Sequence, residues 1–213
     1  MGAGLRHLLM VAQNGNHREM TLKITNVIGS PRTQGNCALV AGALVAALSQ
    51  QASSVKTYEL NKLAYHGCQA CMSCKTTSDS CVTADDLSPL LEDIGQSDVL
   101  VVSTPIYFGE ISAQLKGLVD RLFSYLPPDY RTSPKASRLP AGKKLVLIVT
   151  QGNPDEKVFG DIATRYENLF GRLGFAEVYP IRVCGVGREA IPEVSEQTLA
   201  LTKEVAGKIL AGL

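Results

Sequence analysis

Apolar positions along the chain follow two periods, and the points where one gives way to the other outline the elements. Thr21 to Gly29 (TLKITNVIG) is a short β-branched run closed by Gly29 and Pro31, the form of a buried strand. Asn36 to Ala52 predicts an apolar helix with Asn36 at its cap, and Val55 to Leu60 a second strand. An acid-led helix over Asp85 to Ile94 precedes Asp98 to Ser103 (DVLVVS), the clearest strand in the sequence. Ile111, Leu115, Leu118, Val119 and Leu122 then recur at helical spacing behind a Ser112 cap. Lys144 to Thr150 (KLVLIVT) predicts another buried strand, and Val158, Ile162, Leu169 and Leu173 mark a helix. Glu177 to Val183 predicts a strand, and Leu201, Val205 and Ile209 a final helix. Five strands alternating with five helices specify an α/β protein with a parallel, doubly wound sheet.

Three segments fall outside that unit. Residues 1–19 precede the first strand, so they read as an N-terminal extension to a single domain over 20–213, with Met1 and Met20 both open as the natural start. Leu126 to Gly142 holds four prolines with Arg131, Lys135 and Arg138, and reads as a solvated loop. Asn61 to Thr83 is a long connection that contains four of the six cysteines, and a loop of about twenty residues inside a compact domain is usually functional.

Composition narrows the function classes. A net charge of +1 leaves no electrostatic footprint for nucleic acid or an anionic membrane surface. The longest apolar run, Ala38 to Leu48, has 11 residues against the roughly 20 that span a bilayer. Leu8 to Ala12 is too short for a secretory signal, and Met1-Gly2 lacks the Ser or Thr at position 6 that myristoylation prefers. The expected location is cytoplasmic, where cysteines serve as thiols or ligands rather than disulfides.

Gly29-Ser30-Pro31-Arg32-Thr33-Gln34-Gly35-Asn36 leaves the first strand and enters the first helix. A phosphate there would meet backbone N–H groups, a helix N-terminus, the Ser30 and Thr33 hydroxyls and the Arg32 guanidinium. The spacing is neither a Walker A loop nor a dinucleotide fingerprint. A polar turn with a helix cap is the alternative that the loop alone leaves open.

With that loop, the segments TPIYFG (Thr104 to Gly109) and TQGNP (Thr150 to Pro154) make the chain resemble the NADPH-dependent FMN reductase family, and within it the iron–sulfur flavoproteins. The resemblance runs in consistent order from residue 20 to about 185. It implies a flavodoxin-like three-layer sandwich, five parallel strands in the order 2-1-3-4-5, with FMN beyond their carboxyl ends. It places the FMN phosphate on Ser30, Arg32, Thr33, Gly35 and Asn36 with the position of Cys37, where the family usually has Ser or Thr. Thr104, Pro105, Ile106, Tyr107, Phe108 and Gly109 would meet the isoalloxazine edge, and Thr150, Gln151 and Gly152 its other side. Tyr107 or Phe108 would lie on the ring.

Cys68-x2-Cys71-x2-Cys74-x6-Cys81 presents four thiolates around one compact volume, which suits a [4Fe–4S] cube whose irons each take one. The iron–sulfur flavoproteins carry a compact motif of this form. Zinc, empty cysteines and an oxidised empty site remain open alternatives. His66 reads as an exposed loop residue, Cys37 as a loop residue and Cys184 as a buried strand thiol.

Together these features imply a flavin-dependent oxidoreductase without a dedicated catalytic side chain, in which the cofactor does the chemistry. NAD(P)H or an electron-carrier protein such as ferredoxin would supply electrons, and a redox-active small molecule or a carrier would receive them. A non-enzymatic flavin electron carrier, an NAD(P)H:quinone reductase-like flavoprotein without a cluster, and a zinc-stabilised docking loop are the competing readings. The family resemblance implies a homodimer or homotetramer. Arg131, Lys135 and Arg138 could meet an adenosine phosphate, but a solvated loop is the preferred reading.

Overall fold

A computed structural model describes residues 22–133, 137–187 and 194–212. The expected extension at 1–19, the alternative start at Met20 and the candidate Lys135 lie outside the described residues. The strands are β1 (Leu22–Ile28), β2 (Ala52–Glu59), β3 (Val99–Tyr107), β4 (Glu110–Ile111), β5 (Lys144–Thr150) and β6 (Glu177–Val183). Five pair in parallel in the order β2-β1-β3-β5-β6, and the two-residue β4 folds back antiparallel onto β3. The sheet thus has six strands rather than five, while the parallel members keep the expected 2-1-3-4-5 order once β4 is set aside.

The helices are α1 (Asn36–Leu48), α2 (Ser73–Thr76), α3 (Leu87–Gln96), α4 (Ala113–Arg121), α5 (Gly160–Arg172) and α6 (Glu196–Ala211). Successive strand side chains point to opposite faces, so each central strand feeds two cores. On β5, Leu145, Leu147 and Val149 pack with α3, α4 and α5, while Val146 and Ile148 pack with α1 and α6. On β3, Leu100 and Val102 join the first core, and Val99 and Val101 the second. The near-continuous apolar runs of these strands follow from burial on both faces.

Two adjacent lysines close the layers. Lys143 Nζ donates to the carbonyls of Gly95 and Ser97 at the end of α3, and burial pulls its pKa down to about 8. Lys144 Nζ reaches the carbonyls of Ile209 and Gly212 at the end of α6. Cations are favoured at such helix C-termini, where carbonyls lack helical partners.

Several boundaries differ from expectation. α1 stops at Leu48 rather than Ala52, because the Ser49 hydroxyl donates back to the Val45 carbonyl and the chain turns into β2. Gly35, not Asn36, occupies the cap, and the Asn36 amide reaches the Gly187 carbonyl. β3 runs on to Tyr107 because Ile106 and Tyr107 pair with β4. The buried face of α5 is Ile162, Ala163, Tyr166 and Phe170, which leaves Leu169 toward solvent. Cys37 lies in the first turn of α1 and is buried, whereas Cys184 follows β6 and is only half-buried.

Among the described residues of 126–142, the expected solvated loop does not hold at Arg138. Arg138 donates to the carbonyls of Cys74, Ser124 and Leu126 and pairs with Asp79, so its guanidinium is engaged within the protein. An adenosine phosphate would have to displace these partners. Arg131 matches expectation, exposed and resting beside the Tyr130 ring.

Ser112 ties the fold to its upper rim. Fully buried, it accepts from the Leu115 N–H as the cap of α4 and donates to the Gly29 carbonyl at 2.6 Å. Ser112→Ala removes a cap and leaves a buried carbonyl unpaired, for a loss of about 2–3 kcal/mol. Urea unfolding should show this as a lowered midpoint with an unchanged slope. A loss below about 0.5 kcal/mol, the ordinary range of a surface substitution, would contradict the assigned role.

Candidate functional site

The turns after β1, β3 and β5 leave the carboxyl ends of neighbouring strands, the place where an open α/β sheet binds ligands. The turn after β1 is fastened to the end of β3 by Gly29 N–H to Ser103 O at 2.7 Å, and to α4 by Ser112. A Cβ on Gly29 would stand 2.8 Å from the Ser103 carbonyl and 3.0 Å from Leu115 Cβ, so only glycine permits this approach. The turn therefore faces the TPIYFG segment.

Inside the turn, Ser30 is buried and its hydroxyl accepts from the Arg32 N–H at 3.1 Å. Gly35 is extended at φ −83° and ψ 177°, and its Cα lies against the Arg32 side chain. Arg32 thus folds over the start of α1, while Thr33 and Gln34 stand exposed. The N–H groups at the start of α1 and the Arg32 side chain lie side by side, donors that suit a phosphate dianion.

Other sequence-named side chains are turned inward. The Thr104 hydroxyl accepts from the Ser112 N–H and donates to the Pro105 carbonyl. Thr150 meets Cys37 Sγ at 3.2 Å, and burial pushes the Cys37 thiol up to about 11 despite the Thr150 contact and the nearby Arg32 charge. Gln151 donates to the carbonyls of Asn153 and Asp155 and accepts from Arg182, organising the turn after β5. At these positions a ligand would meet backbone rather than side chain, with Gly152 open to solvent and Pro105 and half-buried Ile106 lining the strand end.

The aromatic pair behaves differently. Phe108 and Gly109 form the two-residue turn of the β3–β4 hairpin with φ of 49° and 81°, the positive values a type I′ turn demands. Gly109 takes them freely, but Phe108 does so at a steric cost. Phe108 is fully exposed and Tyr107 43% exposed. An aromatic ring held in a costly conformation and left in water is an unused apolar surface just past the end of β3.

The cysteine loop packs against the other end of α4. Cys68, Cys71, Cys74 and Cys81 all line one cavity of about 220 Å³, with Met72, Val82 and Phe123 among its apolar walls. Ala70 and Met72 hold positive φ of 54° and 60°, so the chain is bent around the cavity. Ala70 N–H approaches Cys68 Sγ at 3.5 Å, and Arg121 Nε donates to Cys81 Sγ at 3.0 Å. Hydrogen bonds from the Ser73 backbone and hydroxyl lower the pKa of the exposed Cys71. At Cys71 this favours the thiolate, the ligand form for iron. Among the described residues no three His, Cys, Asp or Glu side chains are grouped closely enough to hold one metal ion. A cube distributes its ligands over four irons, so it requires wider spacing than a single ion does. His66 is exposed, as expected.

Of the residues that hold this loop, the sequence named Asp85 as the start of a helix, and Arg121 and Lys75 not at all. Arg121 and Asp85 form an ion pair at 2.7 Å with side chains 1% and 9% exposed. Burial disfavours both charges, but Arg121 and the His66 and Leu87 N–H groups hold the Asp85 carboxyl below its ordinary range. Lys75 Nζ donates to the carbonyls of Phe123 and Leu126 and sits over the Phe123 ring. The one signal for Arg121 was a cation interrupting the apolar stripe of Leu118, Val119 and Leu122.

A family profile described as flavodoxin-like fold matches residues 22–205. The chain belongs to that family. An iron-sulfur flavoprotein of Methanosarcina thermophila is 34% identical over 100 residues, 47% of this chain and 52% of that protein. The chain thus spans about half the length of that relative. An iron-sulfur flavoprotein of Archaeoglobus fulgidus is 27% identical over 189 residues, 88% of this chain and 79% of that protein. The crystal structure of an FMN-dependent NADH-azoreductase from Bacillus anthracis in complex with FMN superposes with a TM-score of 0.67 at 14% identity, covering 89% and 99% of the two chains. Sequence-named positions and the observed fold therefore agree on the flavodoxin-like architecture. Among the described residues no helix is long and apolar enough to cross a membrane.

Proposed function

We propose that the protein is an FMN-dependent oxidoreductase that takes electrons from NAD(P)H or a ferredoxin-class carrier and delivers them to a small redox-active acceptor or a second carrier. The observation that carries this reading is the glycine-built turn of 29–36, stitched to the end of β3, the strand that leads into exposed Tyr107 and Phe108. The relatives named as iron-sulfur flavoproteins support it.

In this reading the first turn of α1 and Arg32 hold the FMN phosphate, and the hairpin tip supplies an aromatic face for the ring. The backbone of 150–152 and 104–106 borders the ring edges, where N–H and C=O groups fix its orientation. Bound there, FMN would supply the chemistry that joins a donor of one hydride, two electrons, to acceptors of one or two electrons. No catalytic side chain is assigned in this reading, and Thr104, Thr150 and Gln151 bond inward.

The four-cysteine loop is proposed to hold a [4Fe–4S] cluster, ligated by Cys68, Cys71, Cys74 and Cys81. Its support is the shared cavity, the left-handed bends at Ala70 and Met72 and the N–H groups directed at sulfur. A bound cluster supplies one-electron transfer. The assembly is proposed to be a homodimer or homotetramer, with a cytoplasmic location.

The test is steady-state oxidation of NADH and NADPH by anaerobically prepared protein, with and without FMN, using a quinone as acceptor. FMN-dependent turnover is expected. An FMN-loaded protein that turns over neither nucleotide would favour a carrier without enzymatic activity.

A further inference from the structure

We propose that Arg121 sets how readily the cysteine-loop cluster accepts an electron, and that Asp85 attenuates its effect. This inference rests on the reading of Cys68, Cys71, Cys74 and Cys81 as a cluster site.

Arg121 projects from the last residue of α4 into the wall of the cysteine cavity with its side chain 1% exposed. Every branch of its guanidinium is committed. Nε donates to Cys81 Sγ at 3.0 Å, one terminal nitrogen to the His66 carbonyl and Asp85, and the other to the Thr83 carbonyl at 2.8 Å. The other cations nearby address a different target. Lys75 and Arg138 donate to carbonyls of residues 74, 123, 124 and 126, and pin the loop without pointing at a sulfur. Asp120, the acid lining the cavity, pairs with Lys116. Among the described residues Arg121 is therefore the cation aimed at a candidate ligand atom.

The consequence follows from charge. A cube held by four thiolates is an anion, and each electron it takes adds negative charge. A buried guanidinium on a ligand sulfur stabilises the reduced form more than the oxidised one, because little water screens it. Its donated hydrogen bond acts in the same direction, drawing electron density from the sulfur. Asp85, on the same guanidinium, offsets part of that charge. In the step concerned one electron arrives from the reductant, and no bond or proton on the chain changes.

The two residues therefore act with opposite sign, which a purely structural role would not produce. The experiment uses the full chain, reconstituted anaerobically with iron and sulfide, as wild type, Arg121→Met, Arg121→Lys and Asp85→Asn. Iron and sulfide content and the cluster's reduction midpoint are measured on each. Arg121→Met is expected to lower the equilibrium constant for reduction at least tenfold, which is 59 mV for one electron. Arg121→Lys, which keeps the charge but not the fork, should recover at least half of that shift. Asp85→Asn, which keeps an acceptor for Arg121, should shift the midpoint upward.

Unshifted midpoints in loaded variants, or shifts of the same sign in Arg121→Met and Asp85→Asn, would overturn the inference and leave the cluster reading standing. A wild type that takes up no iron or sulfide would overturn the cluster reading and the inference with it. Should Arg121→Met fail to fold, the sign of Asp85→Asn decides.

Discussion

Replacing Cys71 by serine is expected to abolish uptake of iron and sulfide while leaving FMN affinity unchanged. Cys71 is exposed and lines the cavity, and Ser73 favours its thiolate, the form that meets incoming iron. A serine hydroxyl at the same place is nearly isosteric but stays protonated, and soft thiolate is what iron–sulfur chemistry selects. FMN should be spared because the two candidate sites occupy opposite ends of one helix. Ser112, at the start of α4, holds the phosphate turn, and Arg121, at its end, holds Cys81. Nine helical residues separate them by about 13 Å, far enough for independent assembly. Iron and acid-labile sulfide assays on anaerobically reconstituted protein, with an FMN titration on the same sample, check both halves. A variant that retains iron and sulfide, or that loses FMN with them, would contradict this arrangement.

The converse substitution acts at the other end. Arg32→Ala should weaken FMN binding by about 10- to 100-fold, corresponding to a charge-assisted contact of about 1.5–3 kcal/mol, and should leave cluster assembly intact. The guanidinium lies over Gly35 at the mouth of α1, so its removal deletes charge without disturbing the buried Ser30 hydroxyl that shapes the turn. The helix N-terminus remains and should give residual binding. Fluorescence quenching on FMN titration measures the change.

How much of this could be read from the sequence depended on how local the determining forces were. β5 and β6 fall on the expected residues because KLVLIVT and EVYPIRV have strand-forming runs bounded by clear breaks. Ser112 as a cap was legible because its partner, the Leu115 N–H, is three residues away. The end of α1 was not, since the apolar spacing runs on while a single hydroxyl bond at Ser49 turns the chain. Arg121 and Arg138 were illegible for a different reason. Their burial depends on carbonyls from residues 66, 74, 83, 124 and 126, which only the folded chain brings together. Sequence motifs named Thr104, Thr150 and Gln151 as site positions, but could not say that their side chains bond inward. Phe108 was named from TPIYFG as a ring contact, but its exposure and its positive φ needed the hairpin itself.

The most direct measurement compares the binding of FMN with that of riboflavin, which has the same ring and lacks only the phosphate. If the turn at 29–36 is an anion cradle, wild-type protein should bind FMN at least about 100-fold more tightly than riboflavin, a difference of about 2.7 kcal/mol. Arg32→Ala should narrow that gap while leaving riboflavin affinity as it was. Equal affinity for the two flavins in the wild type would mean that the ring is held elsewhere, and that the glycine turn serves the fold alone.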